Sequence, residues 1–175
     1  MAHVFQYGSN TSTARLNSND RLRGDARPLG AAYTQEDFDL AFDVWSDGNH
    51  CATADIVSGN GRKIWGVLYE IPDYLIARET SGNRKSLDAI EGRRYRRTPI
   101  ALNHPDGTPV LDNSITYVVI ESERRHDIQT SLDYCGHIIS GLRQYSGVVP
   151  NQYIDYAKAR MIANNPGLRS DILAL

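Results

Sequence analysis

The amino-acid sequence predicts an α+β domain built on a mixed or antiparallel sheet, with a sheet curled into a barrel as one outcome. Strand-like segments dominate the first 71 residues, two more follow a short helical stretch, and two helical patterns close the chain. Neither an internal repeat nor a linker separates these elements. We therefore expect a single domain over residues 1–175.

The composition is that of a soluble globular protein. Of the 175 residues, 41% are hydrophobic and 23% are charged, and the formal net charge of -2 provides no basic excess for nucleic acid. No apolar run approaches the roughly 20 residues that cross a bilayer, and residues 1–4 lack the features of a signal peptide. Cys51 and Cys135 are too few for a disulfide framework. We predict a cytoplasmic protein with two free thiols and no nucleic-acid or membrane partner.

The first strand leads directly into a glycine-containing loop. Residues 4–7 are β-prone, residues 8–13 combine a glycine with hydroxyl and amide side chains, and a helix over 14–22 is expected to begin after Thr11 or Ser12. Backbone N–H groups at such a junction can hold a small anion such as a carboxylate. The loop has neither the Rossmann glycine spacing nor a P-loop motif.

Four strand-like runs follow, at residues 29–33, 38–45, 52–57 and 63–71. Within the second run, apolar and polar residues alternate, which predicts a strand with one solvated face and places Asp43 on that face. Gly66 interrupts the most apolar run and predicts the close approach of another backbone or of a ligand.

Helices and strands are predicted to alternate in the second half of the chain. The expected elements are helices at 73–79, 85–91, 131–145 and 152–163, strands at 95–102 and 114–121, and a turn at Asp106-Gly107. Residues 81–83 are expected to separate the first two helices, and the helix at 152–163 is expected to be the last.

From the residues alone, Glu91 is the main candidate for a catalytic side chain. It ends the helix at 85–91, which Gly92 can close in a left-handed conformation, and it shares a helix face with Leu87. A carboxylate among apolar groups is poorly solvated, so its pKa rises and it can move protons near neutral pH. The alternative is a capping or surface glutamate, because glutamate is mostly exposed.

Four segments resemble a known family and occur in the order that it has. They are residues 5–10 (Phe-Gln-Tyr-Gly-Ser-Asn), 64–69 (Ile-Trp-Gly-Val-Leu-Tyr), 87–92 (Leu-Asp-Ala-Ile-Glu-Gly) with a tyrosine at 95, and 149–154 (Val-Pro-Asn-Gln-Tyr-Ile). The chain thereby resembles the γ-glutamylcyclotransferases, also called AIG2-like proteins. The resemblance implies a small mixed β-barrel flanked by helices, with a cavity between the first loop and the helix-end glutamate.

The resemblance also implies a cyclisation reaction. The α-amine of a γ-glutamyl group attacks its own γ-carbonyl, which releases 5-oxoproline and an amino acid or amine. Glu91 would be the general acid and base, and the residues expected to bind the small γ-glutamyl substrate are Tyr7, Gly8, Ser9, Asn10, Tyr95 and Tyr117. Core positions are the alternative for Tyr7 and Tyr117. No cofactor is expected, and no metal, because the five histidines include no ligand pair at i,i+4.

The sequence departs from the family pattern at two places. Thr11 stands where the family commonly has leucine, and residues 73–84 look longer than in well-known members. Ser9 makes the loop similar to that of the branch acting on γ-glutamyl amino acids.

The alternatives to a cyclotransferase are a non-catalytic ligand-binding or interaction module on the same fold, and hydrolysis or transfer to another acceptor. The basic run at 93–97 is interpreted as a solvated edge, with an arginine facing an anionic substrate as another option. The oligomeric state is open, and a homodimer is one option.

Overall fold

The computed structural model of the protein describes residues 1–59, 61–77 and 84–175. The strands are β1 (Ala2–Gln6), β2 (Arg27–Thr34), β3 (Phe38–Ser46), β4 (Cys51–Ser58), β5 (Trp65–Ile71), β6 (Tyr95–Ile100), β7 (Leu102–Asn103) and β8 (Ser114–Val119). The α-helices are α1 (Thr13–Leu16), α2 (Leu87–Glu91), α3 (Leu132–Arg143), α4 (Asn151–Asn164) and α5 (Arg169–Ala174). The expected strands, and the expected helices corresponding to α2, α3 and α4, are confirmed in position.

Six of the strands form one mixed sheet in the order β6-β8-β1-β5-β2-β7. Neighbouring strands in it are antiparallel except β1 and β8, which are parallel. Strands β3 and β4 form a separate antiparallel hairpin. The curled sheet with its flanking helices confirms the α+β prediction, and it forms a half-barrel because β6 and β7 remain unpaired with each other at its edges.

Two glycines allow close packing around the loop that follows β1. A Cβ on Gly66 of β5 would lie 2.2 Å from the carbonyl oxygen of Gln6, so the close approach predicted at this glycine is that of the β1 backbone. A Cβ on Gly141 of α3 would lie 2.4 Å from Thr11, in the loop itself. Helix α3 therefore packs directly on this loop, and side chains larger than glycine do not fit at either position.

Two clusters of buried apolar side chains join the sheet to the helices. The larger one brings Phe5 of β1 against residues of α3 and α4 such as Ile138 and Met161. The smaller one brings Tyr69 of β5 against Leu87 of α2. Because Leu87 is fully buried, and burial of a leucine side chain is worth roughly 1.5–3 kcal/mol, packing rather than helix propensity holds this five-residue helix in place.

The first helix is shorter than predicted. Ser12, one of the two expected caps, accepts the N–H of Arg15, but α1 ends at Leu16 instead of extending to about Leu22. Asn17 accounts for the early end, because its side chain makes two hydrogen bonds to the backbone of Ala26. Side-chain to backbone bonds of this kind compete with continuation of a helix.

Two other helix predictions are wrong. The stretch expected to be helical from residue 73 shows only a 3₁₀ turn at Asp73–Leu75 within the described residues, and the break expected at 81–83 lies outside them. At the C-terminus, a 3₁₀ turn at Pro166–Leu168 leads into α5, so α4 is not the last helix. Helix α5 has one buried side chain, Ile172, which is too little to give a periodic pattern. Across the described ranges, no helix is long and apolar enough to cross a membrane.

Asp43 is buried, although the alternation along β3 predicted a solvated position. A bulge in the pairing of β3 with β4 shifts the register at this residue, and only 7% of Asp43 is exposed. The Arg124 guanidinium, 3.8 Å away, is shared with the fully buried Asp55, which accepts its Nε at 2.8 Å. Burial, and then the charge of Asp55, raises the pKa of Asp43 to about 6.

We predict that Asp43→Asn gains stability relative to wild type as the pH rises from about 4.5 to about 8. A carboxyl group with a raised pKa binds its proton more tightly in the folded state, so its contribution to stability is lost as the pH rises through about 6. In urea unfolding at the two pH values, the difference in unfolding free energy between variant and wild type should grow by about 1–3 kcal/mol. If the difference in unfolding free energy between Asp43→Asn and wild type is the same at both pH values, the pKa of Asp43 is not raised in the folded state.

Candidate active site

A cleft of about 1290 Å³ opens between the loop after β1, helix α2, the β3–β4 turn and helix α3. Glu91, the last residue of α2, lines this cleft together with Ser9 and Asn10 of the loop. Tyr95 at the start of β6 and Tyr134 of α3 also line it. These five residues come from three separate parts of the sequence, so the site exists only in the folded chain.

Two amide side chains hold the carboxylate of Glu91. Gln6 Nε2 donates a hydrogen bond to Glu91 Oε1 at 3.0 Å, and Asn10 Nδ2 donates to the same oxygen at 2.9 Å. Gln6 and Asn10 are both buried, which fixes their amides relative to the end of α2. No hydrogen bond within the described residues uses Glu91 Oε2. That second oxygen is therefore available to a ligand in the cleft.

Burial raises the pKa of Glu91 above its ordinary value. The hydrogen bonds from Gln6 and Asn10, and then the nearby charges of Arg21 and Arg15, oppose this rise by stabilising the anion. Because burial has the larger effect, Glu91 is a stronger base than a fully solvated glutamate. A carboxylate in this setting can accept a proton from a ligand and return it.

The ends of α2 determine where Glu91 lies. The side chain of Ser86 accepts the N–H of Ala89 and caps the start of the helix. Gly92 ends the helix with a φ of 87°, so the closure expected at this glycine is confirmed. Glu91 is consequently the last helical residue, and the chain turns away immediately after it.

The loop after β1 presents side chains to the cleft. Residues Ser9–Thr11 form a 3₁₀ turn, in which the N–H groups of Thr11 and Ser12 donate to the carbonyl oxygens of Gly8 and Ser9. A Cβ on Gly8 would lie 3.1 Å from the Tyr134 hydroxyl, so glycine keeps this contact relaxed. The sequence indicated the backbone N–H groups around residues 8–10 as anion-binding groups, and the two N–H groups paired in this turn are those of Thr11 and Ser12 instead.

The three predicted tyrosines lie in different surroundings. Tyr95 lines the cleft, and its hydroxyl donates to the carbonyl oxygen of Ala54 at 2.6 Å. Tyr7 and Tyr117 are buried and are not among the described residues that line the cleft. Tyr7 donates to the carbonyl oxygen of Tyr117, and Tyr117 donates to Asp88 of α2 at 2.6 Å. These two tyrosines connect the sheet to α2 behind Glu91.

Four residues of the site were not candidates from the sequence, namely Gln6, Arg15, Arg21 and Tyr134. Gln6 lies in the segment resembling the family, and Arg15 and Arg21 both lie in the predicted helix at 14–22. Nothing in the pattern of α3 distinguishes Tyr134 from a core tyrosine. Its hydroxyl accepts the N–H of Ala54 at 3.0 Å, and burial raises its pKa to about 12.

In the described part of the chain, no group of three His, Cys, Asp or Glu residues could hold a metal ion.

Comparison with known proteins shows which family the chain represents. A sequence profile described as "Gamma-glutamyl cyclotransferase, AIG2-like" matches residues 4–136, which is well over half of the chain. The chain belongs to this γ-glutamyl cyclotransferase family. The matched region contains the loop after β1, Glu91 and Tyr134. No curated protein sequence matches the chain.

Several solved structures have the same fold as this protein. One, described as a gamma-glutamyl cyclotransferase, is 23% identical with a TM-score of 0.71, over 90% of this chain and 86% of the other. An uncharacterized protein from Homo sapiens is 24% identical with a TM-score of 0.71, again over 90% of this chain and 86% of the other. YkqA from Bacillus subtilis is 22% identical with a TM-score of 0.69, over 93% of this chain and 55% of YkqA. The γ-glutamylcyclotransferase-like fold expected from the sequence is confirmed.

We predict that Gln6→Met raises the pKa of Glu91 above the wild-type value. The substitution removes a donor that stabilises the carboxylate and replaces it with an apolar side chain of similar length. Carbon-13 NMR titration of the labelled glutamate carboxyl groups measures the change.

Gln35→Met is the matched control, because Gln35 donates to Leu102 and Asn103 and does not line the cleft. Its Glu91 titration should match that of wild type. A Glu91 pKa that is unchanged or lowered in Gln6→Met would show that this hydrogen bond does not stabilise the anion.

Proposed function

We propose that the protein is a γ-glutamyl cyclotransferase that converts a γ-glutamyl amino acid or amide to 5-oxoproline and a free amino acid or amine. The observation that carries the proposal is the setting of Glu91 in the cleft, where Gln6 and Asn10 hold one carboxylate oxygen and leave the other open. Membership of the γ-glutamyl cyclotransferase family supports the reaction type. Similar structures include a glutathione-specific γ-glutamyl cyclotransferase from yeast, 12% identical with a TM-score of 0.52 over 94% of this chain and 96% of the other.

Glu91 serves first as general base and then as general acid. The substrate α-ammonium loses one proton to solvent, and the resulting amine attacks the γ-carbonyl carbon. As the new C–N bond forms, the attacking nitrogen gives its next proton to Glu91. The protonated Glu91 then donates to the leaving nitrogen as the original C–N bond breaks, and the released amine takes up a proton from water. One amide replaces another, so the reaction needs no co-reactant and no covalent enzyme intermediate.

Binding supplies the rest of the catalysis by holding the substrate folded for ring closure. Nucleophile and electrophile belong to one molecule, and well-oriented intramolecular reactions reach effective molarities of about 10⁵ M or more. Ser9 and Asn10 are the loop side chains assigned to the γ-glutamyl group. We assign the Tyr134 hydroxyl to the developing oxyanion, because its raised pKa keeps it protonated and its oxygen already accepts the Ala54 N–H.

Neither cysteine takes part in the proposed chemistry. Cys51 and Cys135 are buried free thiols, and burial raises the pKa of Cys135 to about 11, so it is not a nucleophile at neutral pH. Two unbridged thiols are typical of a reducing compartment, and we propose a cytoplasmic location on this basis.

We predict that Glu91→Gln lowers kcat for release of 5-oxoproline by at least about 100-fold, the usual contribution of general acid–base catalysis. The amide keeps the size of the side chain and removes its ability to transfer protons. The measurement is chromatographic detection of 5-oxoproline from a panel of γ-glutamyl amino acids, γ-glutamyl amines and glutathione. Glu121→Gln is the matched control, since Glu121 is exposed and lies outside the cleft.

The pH dependence adds a second readout. Glu91 must be ionised to act as the base, so wild-type kcat/KM should fall as the pH falls through the raised pKa of Glu91. No release of 5-oxoproline by folded wild-type protein from any member of the panel would contradict the proposal and favour the binding-module alternative. Full activity of Glu91→Gln would be consistent with the proposed reaction but would show that Glu91 does not transfer its protons.

A further inference from the structure

Two arginines line the cleft beside Glu91 and have only neutral partners. Arg15 of α1 donates to Asn49 in the β3–β4 turn, and Arg21 Nη1 donates to Asn10 Oδ1 at 3.0 Å. Within the described residues, neither arginine has a carboxylate oxygen within ion-pair distance. Both guanidinium groups therefore have charge to offer to a ligand.

None of the other acidic residues of the cleft in the described ranges forms an ion pair with Arg15 or Arg21. Asp47 and Glu123 pair with Arg94, Asp20 accepts a hydrogen bond from Ser18, and Asp133 lies 3.6 Å from His137. Glu91 and Asp20 are the anions whose charges act on Arg21, and the hydrogen bonds of Glu91 come from Gln6 and Asn10 rather than from the arginines. The positive charge of Arg15 and Arg21 is thus only partly balanced by the protein.

Holding this pair together without a ligand is unfavourable. Burial, and then the charge of Arg15, lowers the pKa of Arg21, and the charges of Glu91 and Asp20 offset this only in part. Arg15 Nε is buried and has no hydrogen-bond partner in the described ranges, and such groups are uncommon in native proteins. A carboxylate that bridges two guanidinium groups satisfies both the charge and the unused N–H donors.

We propose that Arg15 and Arg21 bind the carboxylate of the leaving amino acid, so that the protein selects γ-glutamyl amino acids over γ-glutamyl amines. This assignment of a specificity site rests on the proposed cyclotransferase function. The ligand of the arginines is a carboxylate. The substrate has a second carboxylate, that of the γ-glutamyl group, and the test must distinguish the two.

The position of the pair favours the leaving group. Arg15 contacts the β3–β4 turn, where Asp47 and Gly48 are exposed, whereas Ser9 and Tyr134 in the same cleft are buried. Ring closure belongs at the buried side, where water has least access to the intermediate. The leaving group then extends towards the exposed side and brings its carboxylate to the arginines.

The test compares γ-glutamylalanine with γ-glutamylethylamide, which differ only in the carboxylate of the leaving group. Wild type should prefer γ-glutamylalanine in kcat/KM by about tenfold to 100-fold, the range expected for charge-assisted hydrogen bonds. Arg15→Gln and Arg21→Gln should each reduce this ratio, mainly through a higher KM for γ-glutamylalanine, and the double variant should bring it close to one. Arg143→Gln, at an exposed residue outside the cleft, should keep the wild-type ratio.

If the arginine variants lose kcat/KM equally on both substrates, the arginines bind the carboxylate of the γ-glutamyl group or only stabilise the fold. Either result would overturn the proposal. A wild-type ratio near one would also overturn it. Calorimetric titration of γ-glutamylalanine and of γ-glutamylethylamide into Glu91→Gln protein, with and without Arg15→Gln, measures the contact without turnover. A dependence on Arg15 for γ-glutamylalanine alone, combined with no turnover by wild type, would overturn the cyclotransferase reaction and support the carboxylate site. Binding that does not depend on Arg15, or that depends on it equally for both ligands, would overturn the site.

Discussion

The two hydrogen bonds from Gln6 and Asn10 to one oxygen of Glu91 are the constraint on which the site depends. They join the end of β1 and its loop to the end of α2, elements that are more than 80 residues apart. The surrounding structure fixes both sides of this connection. Gly66 allows β5 to pack against the β1 backbone, Gly141 allows α3 to pack on the loop, and burial of Leu87 anchors α2.

The electrostatics of the cleft follow from the same arrangement. Burial makes Glu91 more basic, while the hydrogen bonds from the two amides and the charges of the two arginines oppose this rise by stabilising the anion. Arg21 contacts Asn10, and Asn10 contacts Glu91, so the proposed specificity site and the proposed proton-transfer site share one amide. Changes at the arginines are therefore expected to act on substrate choice and, more weakly, on Glu91 itself.

Sequence patterns predicted where the strands and the helices α2, α3 and α4 lie along the chain, because each depends on local periodicity or on a capping glycine. The position of Glu91 beside the first loop was implied by the family resemblance. Features that depend on contacts between distant residues were not predictable. Asp43 is buried by a bulge and a shared arginine, and α1 ends early because Asn17 bonds to the distant Ala26 backbone. Tyr134 belongs to the site only because α3 packs on the loop, and its helix pattern resembles that of a core residue.

The central claim is that the cleft around Glu91 catalyses an intramolecular ring closure, and turnover in H₂¹⁸O tests it most directly. Wild-type protein acting on γ-glutamylalanine should release 5-oxoproline without ¹⁸O from the solvent, because the attacking atom is the substrate's own nitrogen. Mass spectrometry distinguishes this from hydrolysis. Release of glutamate carrying ¹⁸O, with no 5-oxoproline, would contradict the account, because water would then be the nucleophile.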